Sequence, residues 1–217
     1  DAAPPSFKQD VVRPFNNPIY PRGSIAVLRG NLAPGGAIIK QSAANEKLME
    51  HEGRAVVFEN AEDLANRIDS PDLDVTADDI LVLKNIGPKG APGMPEAGYI
   101  PIPMKLARAG VKDIVRISDG RMSGTAFGTI VLHVTPEAAV AYVQNGDRIR
   151  LSVKNREISL LISNEELAQR EKANPVIEPT AERGYLKLFL DTVTQADKGV
   201  DFDFLRAVKM VGKTPKR

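Results

Sequence analysis

The feature that most constrains the fold of this chain is a series of short apolar runs separated by turn-rich segments. Strands are predicted over residues 24–29, 37–40, 54–58, 80–83, 113–117, 129–134, 147–153 and 157–162. Helices are predicted over residues 45–51, 60–68, 99–109, 136–142, 163–172 and 184–196. Asn60 is the expected N-cap of the second helix, and Ser163 with Glu166 forms the capping box of the fifth.

About seven or eight short strands with only brief helices between them do not make a regular strand-helix alternation. No GxGxxG fingerprint follows a strand, which disfavours a Rossmann fold. We therefore predict one α+β domain, a closed or half-closed mixed β-barrel with flanking helices. Residues 1–22 carry five prolines and indicate an extended arm or linker, so the domain is expected over residues 23–217.

Two motifs rich in glycine and proline flank one predicted helix-and-strand unit. They are GPKGAPGMPE, residues 87–96, and SDGRMSG, residues 118–124. The first follows ILVL, residues 80–83, a continuous apolar run typical of a strand covered on both faces. A loop that leaves a buried strand is well held, and functional residues concentrate on such loops. These two motifs are the expected place for chemistry.

Ser123 lies in RMSGT, where Gly120 and Gly124 leave backbone amides open to an anion or an alkoxide. A serine hydroxyl is a poor base unless a cation or strong donors stabilise its alkoxide. The alternative interpretation is an ordinary turn in which Ser118, Asp119 and Ser123 bond to nearby backbone. The residues alone leave both interpretations open.

Glu96 ends the first motif, whose fixed backbone could aim one carboxylate at a hard cation such as Mg²⁺. A lone carboxylate is not a metal site, and the alternative is an interaction with the dipole of the following helix. The two histidines, His51 and His133, lie near neither a second histidine nor an acidic cluster with metal spacing. We interpret His133 as structural.

Composition excludes several classes of protein. A net charge of +1, from 29 basic and 28 acidic residues, provides no field of one sign to attract nucleic acid or an anionic membrane. No apolar run approaches the ~18 residues of a membrane span, and the N-terminus lacks a signal-peptide core. A soluble, cytoplasmic protein is expected.

The absence of cysteine excludes disulfides, thiolate ligation of a cluster and a thiol nucleophile. The first residue, Asp1, suggests a fragment of a longer protein.

Four motifs in order carry a family resemblance: GSIAVLRGNLAP, GPKGAPGMPE, SDGRMSGTAFGT and HVTPEAAV. Together they resemble the C-terminal domain of the dihydroxy-acid and sugar-acid dehydratase family, which includes phosphogluconate, arabonate and xylonate dehydratases. The resemblance extends from about residue 17 to residue 205, and includes the separation of 27 residues between Glu96 and Ser123.

The resemblance implies a swivelling β/β/α-type domain docked on a larger N-terminal domain, which is absent from this chain. That domain would supply the cysteines of an iron-sulfur cluster and most Mg²⁺ ligands. By resemblance, Glu96 is the metal ligand donated here, and Ser123 is the base, held as an alkoxide. Thr125 would hydrogen-bond Ser123 or substrate, and Arg121 would pair with a carboxylate, although either could equally brace the loop.

The resemblance also implies a hydro-lyase that converts a 2,3-dihydroxy acid into a 2-keto-3-deoxy acid, assembled as a homodimer or homotetramer. The isolated domain is expected to be inactive. RMSGTAFGT is more similar to the enzymes acting on small-molecule pentonates and hexonates than to the branched-chain enzyme, for which RFSGGT is expected. The alternatives are the branched-chain dehydratase and a non-catalytic docking or binding domain. A Gly-Gly-Pro segment usual in the family is missing after Val140: either the residues are absent from the sequence, or the loop is shorter here, which would change the rim of the site or a subunit contact and make substrate choice less certain.

Overall fold

The structure is a computed structural model that describes residues 13–92, 99–122, 127–173 and 179–205. Its strands are β1 (Ile25–Gly30), β2 (Ala33–Lys40), β3 (Glu50–Phe58), β4 (Ile80–Leu83), β5 (Val115–Ser118), β6 (Ile130–Thr135), β7 (Arg148–Ser152) and β8 (Glu157–Leu160). Its α-helices are α1 (Ala61–Arg67), α2 (Met104–Arg108), α3 (Glu137–Ala141), α4 (Asn164–Ala173) and α5 (Gly184–Thr192). Single 3-10 turns cover Gln41–Ala43, Glu46–Leu48, Ala196–Lys198 and Asp203–Leu205.

The eight strands close into a mixed barrel in the order β1-β2-β6-β5-β4-β3-β7-β8. This confirms the predicted barrel. Strands β3, β4, β5 and β6 run parallel to one another, whereas β7 is antiparallel to β3 and β2 is antiparallel to β6. In the β4–β5 pair, Ile80 is opposite Val115 and Leu83 is opposite Ser118. The segments that follow these two strands therefore leave the barrel at the same end.

We call these segments the first loop, residues 84–98, and the second loop, residues 119–129. The first loop contains the GPKGAPGMPE motif, and the second contains DGRMSG. Both loops thus start at one end of the barrel, because the carboxyl ends of parallel strands share an edge.

Two apolar clusters hold the domain together, one inside the barrel and one between the barrel wall and helices α1 and α2. Strand β4 contributes to both: Ile80 and Val82 lie in the inner cluster, and Leu81 and Leu83 lie in the outer cluster. All four side chains are fully buried. Full burial of each stabilises the fold by about 1.5–3 kcal/mol. The prediction of a strand covered on both faces is confirmed, and it gives the first loop a rigid base.

The Asn60 cap is confirmed, and so is the Ser163 half of the predicted capping box, whereas the Glu166 carboxylate pairs with Arg170. The backbone amide of Asp63 donates to Asn60 Oδ1 at 2.9 Å, and the amide of Glu166 donates to Ser163 Oγ at 3.1 Å. Such caps satisfy amides that have no partner inside the helix, and each contributes about 1 kcal/mol.

Three predicted helices differ from the structure in where they begin or end, or in type. The helix predicted over residues 99–109 begins only at Met104, with Pro103 as an extended N-cap residue. Proline restricts the residue before it to extended conformations, so residues 99–102 cannot continue the helix backwards. The segment 45–51 contains one 3-10 turn, and His51 belongs to β3. The helix predicted to end at residue 196 ends at Thr192, and Val193 pairs with Phe202.

The segment NLAPGG, residues 31–36, is typical of a tight turn in sequence, but only Asn31 and Leu32 form one, and β2 begins at Ala33 rather than at Ala37. A Cβ on Gly35 would lie 2.6 Å from Thr135 Oγ1 on the neighbouring strand β6. The glycine therefore permits close strand approach here rather than a turn.

Candidate functional site

Three of the four predicted site residues, Glu96, Ser123 and Thr125, lie outside the described residues. The fourth, Arg121, is exposed on the second loop directly before the buried Met122. The structure describes the framework on both sides of these residues, and this framework is well connected. The contacts between the two loops therefore define what the site can do.

Asp119, the first residue of the second loop, joins the two loops at their starts. Its Oδ2 accepts a hydrogen bond from the backbone amide of Asn85 at 3.0 Å, and its Oδ1 accepts one from the amide of Ile86 at 3.0 Å. The Asp119 side chain is 1% exposed, so water does not compete for these bonds. This role does not follow from the local sequence, which indicates for Asp119 only a bond to nearby backbone. The available signal was an acidic residue that directly follows a buried strand.

Burial raises the pKa of Asp119 to about 7. The amide of Ile86 acts in the opposite direction, since hydrogen bonds to the charged form favour it, and the negative charge of Glu137 adds a smaller raising effect. The carboxylate consequently changes its protonation state in the neutral range, far above the ordinary range of aspartate.

Glu137, the first residue of α3, holds the middle of the first loop. Its Oε1 accepts from the amide of Lys89 at 3.0 Å, and its Oε2 accepts from the amide of Gly90 at 2.9 Å. Gln195 Nε2 donates to the same Oε1 at 2.8 Å. Four amides of the first loop therefore bind two carboxylates, one from the second loop and one from α3. The sequence analysis quoted the motif containing Glu137 without assigning it a role.

Three glycines allow the loops to pack this closely. A Cβ on Gly120 would lie 2.6 Å from the carbonyl oxygen of Ile86, and one on Gly90 would lie 2.6 Å from the carbonyl carbon of Asn85. A Cβ on Gly87 would overlap the Glu137 carboxyl group. Glycine is required at these positions because backbone or a hydrogen-bonded carboxylate occupies the space of a side chain.

The segment just after the first loop is also tied to β5 and the second loop. The backbone amide of Ile100 donates to Met122 Sδ at 3.3 Å, and its carbonyl accepts from Arg116 Nη1 at 3.1 Å. Arg116 is buried and forms a 3.1 Å ion pair with the fully buried Asp113. Burial lowers the pKa of Arg116, while Asp113 opposes that effect. The Arg116 Nε atom is the one buried side-chain donor without a partner in the described ranges.

A cavity of about 270 Å³ lies beside the second loop. Its lining includes Arg121, Met122, Lys40 and His133 together with apolar side chains of β1, β2 and β6. Burial and the charge of Arg121 lower the pKa of His133, which keeps its imidazole neutral. Two cations and a neutral imidazole at an otherwise apolar cavity suit an anion that also carries hydroxyl groups. His133 also has a structural contact, since its backbone amide donates to the Gly120 carbonyl at 3.1 Å.

The part of the chain that the structure describes does not hold a complete metal site. No group of three His, Cys, Asp or Glu side chains with metal-binding proximity occurs there. The carboxylates of Asp119 and Glu137 are taken up by backbone amides. The full sequence contains no cysteine. An iron-sulfur cluster therefore does not fit this chain by itself, and a cation would need ligands beyond the described residues. Every helix in the described ranges is too short or too polar to cross a membrane.

Comparison with known proteins identifies the family. A family model described as dihydroxy-acid/6-phosphogluconate dehydratase C-terminal matches residues 10–200. The chain belongs to this family. As the motifs predicted, it is the C-terminal domain of a dehydratase in the sense of that model. The eight-stranded barrel and the paired loops are thus the architecture of this dehydratase domain.

Individual relatives carry dehydratase names. A Rhizobium meliloti protein, named as a dehydratase without a substrate, is 58% identical over 92% of this chain and 35% of its own length. L-arabonate dehydratase of Azospirillum brasilense is 48% identical, over 93% of the chain and 36% of its length. 6-deoxy-6-sulfo-D-gluconate dehydratase of Pseudomonas putida is 47% identical, over 97% and 38%. Four relatives named dihydroxy-acid dehydratase are 38–42% identical. The chain spans little more than a third of the length of these relatives.

Proposed function

We propose that this chain forms one wall of the active site of a sugar-acid hydro-lyase, which removes water from a 2,3-dihydroxy acid and yields a 2-keto-3-deoxy acid. The observation that carries the proposal is the junction of the two loops. Asp119 of the second loop binds two amides of the first loop, so the segments bearing Ser123 and Glu96 start side by side. The remaining walls would come from an N-terminal domain of the same protein, in a homodimer or homotetramer.

Within this proposal, Ser123 is the base. Its alkoxide oxygen takes the proton from C2 of the substrate, and the C2–H electron pair forms the C2–C3 double bond of an enol as the C3–O bond breaks. The hydroxide that leaves C3 takes up the proton held by Ser123, which restores the alkoxide and releases water. The enol then tautomerises to the 2-keto acid. Backbone amides at Gly124 and Thr125 would stabilise the alkoxide before the transfer. The Thr125 hydroxyl would hydrogen-bond Ser123 or the substrate, and Arg121 would bind the substrate carboxylate.

The proposed cofactors are an iron-sulfur cluster and Mg²⁺, of which this chain would contribute one ligand, Glu96. The cluster requires thiolates from elsewhere, because the sequence has none. When bound, the metal would make the C3 hydroxyl a better leaving group. Every other step described above is assigned to side chains and amides of this chain.

A sugar acid is the favoured substrate class for two reasons. The relatives named for arabonate and sulfogluconate are 47–48% identical, above the 38–42% of those named for dihydroxy acids. The cavity beside the second loop also carries Lys40 and Arg121. A branched-chain substrate would instead need an apolar pocket for its alkyl groups.

The test is 2-keto acid formation by the full-length protein that carries this chain, prepared without oxygen and supplied with Mg²⁺. The substrate panel contains pentonates, hexonates and 2,3-dihydroxyisovalerate. Ser123→Ala is compared with Ser70→Ala, a control at a serine far from the loops. Turnover of a sugar acid that is lost only in Ser123→Ala supports the proposal.

Three other outcomes each exclude part of it. Turnover of the branched acid alone would assign the branched-chain activity instead. Activity that survives in Ser123→Ala would remove Ser123 as the base. No turnover by protein with an intact cluster would favour a non-catalytic docking domain.

A further inference from the structure

We propose that Asp119 is a positioning residue for this reaction: its carboxylate fixes the first loop against the second and thereby sets the separation of Glu96 from Ser123. The inference rests on the proposed function for its kinetic consequence. Its structural part, a latch between two loops, stands on the described contacts alone.

The geometry of Asp119 is that of a two-pronged latch. Each carboxylate oxygen takes one amide, Oδ2 from Asn85 and Oδ1 from Ile86, both at 3.0 Å. Above about pH 7, where Asp119 is ionised, both oxygens accept, and hydrogen bonds to an ionised acceptor are about twice as strong as neutral ones. Both bonds cross from one loop to the other instead of staying within one loop. Movement of either loop start would therefore break them.

The latch lies close in sequence to the residues that it would position. Asp119 precedes Ser123 by four residues, and Ile86 precedes Glu96 by ten. Gly120, next to Asp119, packs on the Ile86 backbone, and its carbonyl accepts from His133 on β6. The start of the second loop is thus fixed to the barrel wall. Through Asp119, the start of the first loop is held in place relative to the same wall.

The other side chains that hold the first loop and the segment after it do not link its amides to the second loop. Glu137 holds Lys89 and Gly90, but it belongs to α3 and so fixes the first loop independently of the second. Met122 and Arg116 hold Ile100, beyond the first loop. Among the described side chains, Asp119 is the one that binds first-loop amides from the second loop. Its loss should therefore change the spacing of the loops while leaving the barrel intact.

The variant Asp119→Asn distinguishes the effect of the two hydrogen bonds from the effect of filling the buried space. Asp119→Asn keeps the volume of the side chain but offers one acceptor oxygen, and its Nδ2–H₂ group would face a backbone N–H. One of the two bonds must then be lost. Because a displacement of about 1 Å in catalytic geometry can cost about 100-fold in rate, we expect kcat to fall by roughly that factor. KM should change by less than about threefold, since the loss arises in the transition state.

The experiment compares three full-length proteins: the natural sequence, Asp119→Asn and Asp79→Asn. Asp79 is the control, because its buried carboxylate also accepts a backbone amide, from Thr76 at 2.8 Å, but precedes β4 at the opposite end of the barrel. It also pairs with Arg54, so Asp79→Asn tests a loss of buried hydrogen bonds that is at least as large. Two quantities are measured: kcat and KM on the turned-over acid, and amide hydrogen exchange of the peptide covering residues 84–92. We expect faster exchange of that peptide and a lower kcat in Asp119→Asn alone.

Equal kinetic losses in Asp119→Asn and Asp79→Asn, or a kcat of Asp119→Asn within about twofold of the natural protein, would overturn the inference. Unchanged exchange of the first-loop peptide would overturn the latch itself. If the natural protein turns over no acid of the panel, the proposed function fails, and the exchange result still decides the latch. Should Asp119→Asn not fold, Asp119→Glu retains both acceptors on a longer stem, and the same split between kcat and KM is expected.

Discussion

The backbone of Gly120 packs directly on the backbone of Ile86, so that a Cβ on Gly120 would lie 2.6 Å from the Ile86 carbonyl oxygen. The gap between the starts of the two loops is therefore too narrow to hold a methyl group. Asp119 adds its two hydrogen bonds at the same place. Steric contact and hydrogen bonding together determine how far apart the starts of the two loops lie.

Gly120→Ala should push the two loops apart. Overpacking of this kind costs about 1–3 kcal/mol in the free energy of unfolding, which urea denaturation of the chain would measure. In the full-length protein we also expect kcat to fall. Gly110→Ala is the control, since Gly110 has φ +89° and no atom within 4 Å of the added Cβ. It should cost only backbone strain of about 1–2 kcal/mol and leave kcat unchanged. Equal kcat values for both variants would contradict this prediction.

Glu137→Gln should loosen the middle of the first loop. The carboxylate accepts the amides of Lys89 and Gly90 on different oxygens, and a glutamine can accept on one oxygen only. Loss of a hydrogen bond to a charged group costs about 1.5–3 kcal/mol. Denaturant midpoints of this variant and of Glu165→Gln, a change on the exposed face of α4, provide the measurement. A midpoint shift no larger than that of Glu165→Gln would show that Glu137 does not hold the loop.

The stability of the chain should depend on pH through Asp119. Its pKa is about 7 in the folded chain and has the ordinary value of 3.8 in the unfolded chain. Below about pH 4 both states are protonated; as the pH rises, the unfolded state loses its proton first. The contribution is therefore complete at low pH and is lost as the pH passes through about 7. At about 1.4 kcal/mol per pKa unit, the decrease in unfolding free energy is at most about 4 kcal/mol.

Urea denaturation at a series of pH values between 4 and 8, roughly the interval in which the two states differ in bound protons, measures this effect. Asp119→Asn should lack this part of the pH dependence, since an amide does not titrate there. Parallel curves for the two proteins would contradict the raised pKa.

Arg116→Met should strongly destabilise the domain. Arg116 and Asp113 form a buried ion pair, with side chains 6% and 0% exposed. The change leaves the buried Asp113 carboxylate without this ion pair. Breaking a buried pair in this way costs about 3–5 kcal/mol. Arg148→Met removes an exposed ion pair with Glu52 and should change stability little. Thermal unfolding of the two variants would compare them directly, and similar melting temperatures would refute the prediction.

Local sequence patterns were sufficient for most elements of the fold. The apolar run at residues 80–83 and the caps Asn60 and Ser163 act through contacts near in sequence, and each is confirmed. Boundaries failed where tertiary contacts override local signals. The segment NLAPGG was expected to turn, but β2 begins at Ala33 because Gly35 and Gly36 can lie against β6.

The candidate site likewise has a part that local sequence predicts and a part that depends on tertiary contacts. The two motifs are visible in the sequence because glycine and proline constrain a backbone wherever they occur. Glu96, Ser123 and Thr125 remain predictions, since they lie outside the described residues, and Arg121 is placed beside the cavity without a tested role. Asp119 and Glu137 were missed as loop anchors, because their partners are 33 to 48 residues away in sequence.

The family, the strand-rich class and the positions of the two motifs follow from the sequence, because residue type and short-range pattern carry that information. The folded structure was needed to establish that the two loops leave parallel neighbouring strands, and that two carboxylates bind four amides of the first loop. Strand pairing and the burial of a carboxylate depend on contacts between residues far apart in the chain. No local pattern specifies such contacts.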